Sequence, residues 1–241
     1  MRFASSTRAH FLRTCVRLCA ILPGLWLGTA VHAQGNARLY DPEPPVDSGY
    51  VRIVLASPSA PVDLWVDGQP RISNLAAQQL SEYLVLIEGA HTLELHAAGK
   101  SAPTLTHALT VARGKSLTLA FAALRADATP LRFEDKGNTN KLKVLLSAYH
   151  LAPKAGALDI TTADGITQVF SNLAYAQSVS LQVNPITVEL QAHTPSSKAV
   201  LARTTLEMTQ GGTYSIILTA AKDGKLQATG VLSKTERLNG K

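Results

Sequence analysis

From Val51 toward the C-terminus, apolar and polar residues alternate with a period of two. Val51, Ile53 and Leu55 share one face of a strand, and Tyr83, Val85 and Ile87 share one face of another. Leu93 and Leu95 alternate with Thr92, Glu94 and His96; Leu117, Leu119 and Phe121 alternate with Thr118 and Ala120. Leu142, Val144 and Leu146 restart the pattern. Val179, Leu181 and Val183, then Val188 and Leu190, then Tyr214, Ile216 and Leu218 carry it on. Such alternation puts one face in a core and the other in water, the habit of antiparallel sheets. Asp67-Gly68, Asp164-Gly165 and Asp223-Gly224 separate strand-like runs, and Asp-Gly suits the positive φ angles of tight hairpins. Gly89 and Gly99 bracket another short strand, and only the Ala-rich piece 74–80 reads as a single helical turn.

The pattern is stated twice. GYVRIVLASPSAPVDLWVDG is echoed by NKLKVLLSAYHLAPKAGALDITTADG, SNLAAQQLSEYLVLIEGAHTLELHAAG by SNLAYAQSVSLQVNPITVELQAHT, and VARGKSLTLAFAA by MTQGGTYSIILTA. Asn74-Leu75 matches Asn172-Leu173, and Glu94-Leu95 matches Glu189-Leu190. Three blocks in one order mark an internal duplication. The predicted fold is all-β, with two tandem immunoglobulin-like antiparallel β-sandwich domains at 50–134 and 141–235. The polar stretch FEDKGNTN at 133–140 reads as the linker, and the charged end KTERLNGK as a fraying tail.

The first residues change the picture of composition. Arg2, Arg8, Arg13 and Arg17 precede an apolar run of 14 residues at 18–31, and Val31-His32-Ala33 places small residues before a cleavage point. This predicts a signal peptide at 1–33, cut between Ala33 and Gln34, because the run falls short of the ~20 residues that span a bilayer. The expected location is the periplasm. Taking 33 residues from 241, and four arginines from 23 basic residues, leaves 208 residues with 19 basic against 17 acidic, a net charge of +2. That balance removes the electrostatic case for nucleic acid or an anionic membrane. Cys15 and Cys19 both lie in the leader, and Arg17 does not suit a lipid-attachment site at Cys19. The exported chain therefore holds together by its cores, without disulfides.

Leu39-Tyr40, Pro42, Pro45, Ser48 and Val51-Arg52-Ile53, followed by TTADGITQVF at 161–170 and VNPITVEL at 183–190, resemble the alginate O-acetylation protein AlgF family in order and spacing. The resemblance covers nearly the whole exported chain. It implies a periplasmic accessory or adaptor protein, required for O-acetylation of a secreted exopolysaccharide, alginate first. It also implies periplasmic acetyltransferase proteins and a membrane-bound O-acyltransferase as partners. VRIVLASPSAPVDLWVDG with LSEYLVLIEGAHTLEL also looks like a widespread secreted sandwich repeat of no settled function. Acetylation of another polymer, such as cellulose, and a secreted glycan-binding module are the alternatives.

The residues offer little chemistry of their own. The Gly-Asp-Ser and Asp-x-x-His motifs of esterase-like transferases are absent, as is Gly-x-Ser-x-Gly. No catalytic, cofactor-binding or metal-ligating residue is expected. His91 and His96 fall on opposite faces of one strand and cannot converge on a metal. His107 shares the parity of Leu105 and Leu109, which predicts a partly buried, hydrogen-bonded ring; His150 and His193 read as loop residues. Asp63, Asp67, Asp159 and Asp164 recur at equivalent places and read as turn formers. Trp65, opposite in parity to Leu64 and Val66, either joins the core or offers a face to a sugar or a partner.

A proline-rich arm at 34–49 precedes the first strand. Pro42, Pro44 and Pro45 fix φ and donate no hydrogen bond, so the arm should stay extended outside the sheets. Leu39, Tyr40, Pro42 and Pro45, with Trp65, are the candidate partner-binding residues. The arm either adds itself to a neighbour's sheet or groove, or is a spacer packed on its own domain.

Overall fold

In this computed structural model the described residues are 44–237; the leader, its cleavage point at Ala33 and Gln34, and Leu39, Tyr40 and Pro42 lie outside them. The first eight strands are β1 (Ser48–Leu55), β2 (Val62–Val66), β3 (Gln69–Leu75), β4 (Leu84–Ile87), β5 (Gly89–Ala97), β6 (Pro103–Val111), β7 (Ser116–Phe121) and β8 (Leu131–Asp135). Eight more follow: β9 (Val144–His150), β10 (Leu158–Thr162), β11 (Gln168–Leu173), β12 (Ser178–Val183), β13 (Ile186–His193), β14 (Ala202–Met208), β15 (Thr213–Ala220) and β16 (Leu226–Leu232).

The duplication read from the sequence is complete in the topology. The first half forms sheets β4-β1-β7-β8 and β3-β2-β5-β6; adding eight to each label gives β12-β9-β15-β16 and β11-β10-β13-β14. Each half is a sandwich. Val51, Ile53, Leu55, Leu64, Leu93, Leu95, Leu119 and Phe121 fill the first core. Val144, Leu146, Leu158, Leu190, Ile216 and Leu218 are among those filling the second. In each half one strand pair runs parallel, β1 with β7 and β9 with β15.

Turn chemistry follows the residues. Asp67 and Gly68 both have positive φ, 52° and 72°, which closes the two-residue β2–β3 hairpin as the type I′ signal predicts. Asp63 and Asp159 act differently from the turn role expected of them. Each lies within a strand, beside a register shift, and its Oδ1 accepts the backbone N–H of an asparagine with positive φ: Asn74 and Asn172, both at 2.7 Å. The two copies thus repeat a bulge and the clamp that holds it.

Several sequence expectations change. Residues 76–80 form a turn and an isolated bridge rather than a helical turn. Phe133 is a buried residue of β8, so the linker begins after Asp135. The core face of β4 is Leu84 and Leu86, not Tyr83, Val85 and Ile87. His150 is a fully buried residue ending β9, with Nε2 2.6 Å from the Gly156 carbonyl, and His193 ends β13.

Candidate functional site

Two places gather polar side chains where alternation alone would leave them in water. The first is the seam between the sandwiches. The outward faces of β1 and β7 pack against those of β9 and β15. There Val54, Ala56, Ala120, Phe133, Tyr149, Leu151 and Ile217 form a third apolar cluster. Arg52, on the outward face of β1, is only 1% exposed inside this seam. Its guanidinium donates to Thr118 Oγ1 at 2.8 Å and, across the seam, to Tyr149 OH at 2.9 Å, Ser215 Oγ at 3.1 Å and Ser233 Oγ at 2.8 Å. Its carbon lies 4.4 Å from the centre of the Tyr83 ring.

Asp135 supplies the opposite charge, its Oδ2 3.9 Å from Arg52 Nε. Tyr83 OH donates to this carboxylate at 2.7 Å, Thr118 Oγ1 at 2.5 Å and Tyr149 OH at 2.5 Å. A buried charge pair is tolerable only when its remaining donors and lone pairs are met, and here hydroxyls from both sandwiches meet them. Burial pushes the Tyr149 phenol up to about 12, against the opposing pull of Arg52; burial likewise raises Tyr83. The charges and hydroxyls of the network satisfy one another, and its chemistry is that of a joint.

The C-terminal segment reinforces the joint. After β16 the chain returns to the first sandwich, where Thr235 bridges Tyr83 in parallel. Tyr83 N donates to the Lys234 carbonyl at 2.8 Å, and Glu236 N to the Tyr83 carbonyl at 2.9 Å. The Glu236 carboxylate accepts Val85 N at 2.6 Å and pairs with Arg71. Residues 234–236, expected to fray, are held beside Tyr83 and Val85 by these bonds and an isolated parallel bridge.

The second place is the outer face of sheet β3-β2-β5-β6. Val62, Leu64 and Val66 enter the core, so Asp63 and Trp65 face outward. Trp65 pairs with Glu94 and Asp63 with His96 across β2 and β5. The Trp65 and His96 rings stack with centres 4.9 Å apart, and Glu94 Oε2 stands 3.7 Å from His96 Nε2. His96 is buried beneath this cover, and neither ring nitrogen has a hydrogen-bond partner. Trp65 therefore joins neither core: it covers the imidazole and stays half-buried on the outer face. Asp63 is tied by the N–H groups of Asn74 and Gly99, which hold its carboxyl below the ordinary range.

The remaining predicted residues separate. Pro45 is exposed, and its carbonyl accepts Ser48 N at 3.0 Å to close a turn; Asp47 O accepts Glu88 N at 2.7 Å. The described end of the arm thus lies along its own first sandwich, away from Trp65 in the sheet order. His91 holds Asp67 at 2.7 Å and the Ile87 carbonyl at 2.7 Å. His107 is partly buried as expected, but its Nε2 has no partner. Among the described residues no group of three or more His, Cys, Asp or Glu could hold a metal, no helix is long and apolar enough to cross a membrane, and no serine or threonine hydroxyl is hydrogen-bonded to histidine. Sequence reasoning missed Arg52, Asp135, Tyr83, Tyr149 and Glu236. One signal was present: β1 and β9 carry consecutive apolar residues, Ile53-Val54-Leu55 and Val144-Leu145-Leu146, as strands covered on both faces do.

A family model described as a domain of unknown function (DUF4397) matches residues 49–161. The chain is 28% identical over 196 residues to the alginate biosynthesis protein AlgF of Pseudomonas syringae pv. tomato, covering 80% of this chain and 82% of that protein. It is 30% identical over 166 residues to the alginate biosynthesis protein AlgF of Pseudomonas putida, covering 69% of this chain and 71% of that protein. Among solved structures it is similar to the C-terminal domain of AlgF from P. aeruginosa, at 26% identity over 38% of this chain and 99% of that one, with a TM-score of 0.32.

Proposed function

The chain belongs to the AlgF family of alginate biosynthesis proteins, and we propose that it is a non-catalytic periplasmic adaptor required for O-acetylation of alginate. The observation that carries this reading is the 30% identity to a curated relative across 71% of that relative's length. The architecture supports the adaptor part. Two sandwiches joined through a buried polar seam present a stiff body with many strand edges and outer faces, the kind of surface on which other proteins dock. In this reading the acetyl chemistry belongs to a membrane-bound O-acyltransferase and periplasmic acetyltransferase proteins, and this chain holds them in register. The leader delivers it to their compartment.

The test is the acetyl content per sugar of the secreted polysaccharide in a strain lacking this protein, with polymer yield measured alongside. Lost acetyl at normal yield is the expected result. Unchanged acetyl overturns the reading. Incubation of the purified chain with an acetyl donor should leave no covalent +42 Da adduct; a stoichiometric adduct would make it an acyl-carrying enzyme instead.

One observation favours glycan binding as a second reading: Trp65 lies half-buried on an outer sheet face between carboxylates. It is the sole tryptophan among the described residues, so saturable quenching of its fluorescence by oligosaccharides would support that reading directly.

A further inference from the structure

The internal duplication places β12 where the first sandwich has β4, and the two edges differ. In the first sandwich Val51 pairs with Leu84; in the second Leu146 pairs with Leu181. Ser180 therefore corresponds to Tyr83, and Gln182 to Val85. Tyr83 and Val85 turn their N–H groups outward to the tail, where Lys234 O, Glu236 N and the Glu236 carboxylate receive them and the Tyr83 carbonyl.

The direction of the β12 groups follows from its neighbour. Leu145 N donates to Gly212 O and Leu151 N to Leu218 O, so the odd residues of β9 face β15. Its even residues face β12, as His150 N to Gln177 O shows. With Ala148 opposite Val179, Leu146 opposite Leu181 and Val144 opposite Val183, those three β12 residues spend their backbone groups on β9. Ser178, Ser180 and Gln182 turn theirs outward, and among the described residues no strand takes them. The strand reads SVSLQV, without the lysine, proline or inward charge that natural edges use against unwanted pairing.

The charges are placed differently. In the first sandwich the carboxylate of the tail meets Arg71 on β3, whose counterpart on β11 is Val169. In the second, the cation near this edge is Lys143, whose Nζ donates to Asn184 Oδ1 at 2.6 Å, two residues beyond Gln182.

We propose that the free edge of β12 receives, in parallel, an extended peptide segment of a partner protein. The segment carries an acidic side chain two residues after the carbonyl that accepts Ser180 N–H. Its own N–H donates to Ser180 C=O, and its carboxylate accepts Gln182 N–H and faces Lys143. The proposal rests on the adaptor reading for the existence of a partner, and the mode of capture is copied from the occupied edge of the first sandwich.

The experiment uses the chain from Gln34 onward, labelled with 15N, and a capped peptide of residues 233–237, SKTER, as the probe. Amide shifts should centre on Ser178, Ser180, Gln182 and Lys143 and saturate with peptide. The same peptide with Glu236→Gln should bind about tenfold more weakly, the size of losing a hydrogen bond to a charged group. Gln182→Pro removes an outward N–H without touching the β9 ladder, so it should abolish the response while the rest of the spectrum is kept; Lys143→Ala should weaken it. No edge shifts at any soluble peptide concentration, shifts centred elsewhere, or equal binding of the neutral peptide overturns the proposal. Ser178, Ser180 and Gln182 already slow to exchange in the free chain also overturns it, with sedimentation telling a second copy from the chain's own arm. None of these outcomes depends on acetylation, so a failed edge leaves the acetyl-content test standing, and the reverse.

Discussion

Arg52 and Tyr149 meet across the seam, with guanidinium Nη2 2.9 Å from the phenol oxygen, and the same phenol donates to Asp135 at 2.5 Å. One side chain of the second sandwich thus touches both charges of the first. The two copies are joined through a site where neither charge reaches water, and separating them would open a buried ion pair.

Removing Arg52 alone strands Asp135 in that environment. Arg52→Met should cost about 3–5 kcal/mol in urea unfolding, the range for a buried pair broken on one side. Arg52→Met with Asp135→Leu should recover most of that loss, because no uncompensated charge remains. Two additive losses in this double-mutant cycle would mean that the pair contributes through packing alone.

The seam also sets an alkaline limit. Tyr149 is raised to about 12 by burial, above the ~10 of an exposed phenol. Above pH 10 the unfolded chain releases this proton while the folded chain keeps it, so stability is complete below pH 10 and falls as pH rises through about 12. Tyr83, raised by the same cause, adds to the fall. The urea midpoint should drop across this window, and Tyr149→Phe should flatten the drop. Phenolate absorbance should place Tyr149 and Tyr83 among the last of the six tyrosines to ionise, coincident with unfolding.

Much of this fold is legible in the sequence. Val51-Ile53-Leu55, Leu117-Leu119-Phe121 and Tyr214-Ile216-Leu218 all face a core, Asp67-Gly68 closes its hairpin, and the duplicated blocks map onto equivalent strands. The seam is not. Period two reports which side chains are polar, and Arg52, Thr118 and Ser215 are polar yet buried because they satisfy one another. β4 was misread in parity because Leu84, Val85 and Leu86 are all covered, leaving no wet face to break the tie. The tail was misread because local composition cannot show that Arg71 and Tyr83 await it more than 150 residues away in sequence. The candidate arm residues Leu39, Tyr40 and Pro42 lie outside the described residues, so the arm stands as the sequence left it.

The repeated bulge clamp offers a test on the copies themselves. Asp63→Ala and Asp159→Ala each leave an asparagine N–H without its acceptor and should cost about 1–2 kcal/mol. Asp63 also loses Gly99 N, so its change should cost more. Asn172→Gly should be nearly neutral, since glycine adopts φ of 50° without strain, whereas Asn172→Val should destabilise strongly. Equal effects of glycine and valine in thermal unfolding would sink the claim that the left-handed backbone at this position matters.

Removing residues 234–241 tests whether the bridged tail supports β4 or is an ornament. The truncated chain loses the Lys234 and Glu236 bonds to Tyr83, the Glu236 carboxylate on Val85 N and its pair with Arg71. It also uncovers the apolar edge strand LVLI, whose residues Leu84, Val85 and Leu86 are buried. Each partly exposed backbone bond contributes about 0.5–1.5 kcal/mol, so a loss of a few kcal/mol is expected. Hydrogen exchange at Tyr83 and Val85 should accelerate while Leu84 and Leu86, bonded to β1, stay slow. Concentration-dependent association should appear, because an uncapped apolar edge is a template for another. Glu236→Gln keeps the backbone pairing and weakens only the carboxylate contacts, so it should destabilise less than the truncation and leave the association state of the intact chain unchanged. A truncated chain as stable and as monomeric as the intact one would mean that β4 closes the sheet unaided, and the contrast between its capped edge and the free edge of β12 would then lose its physical basis.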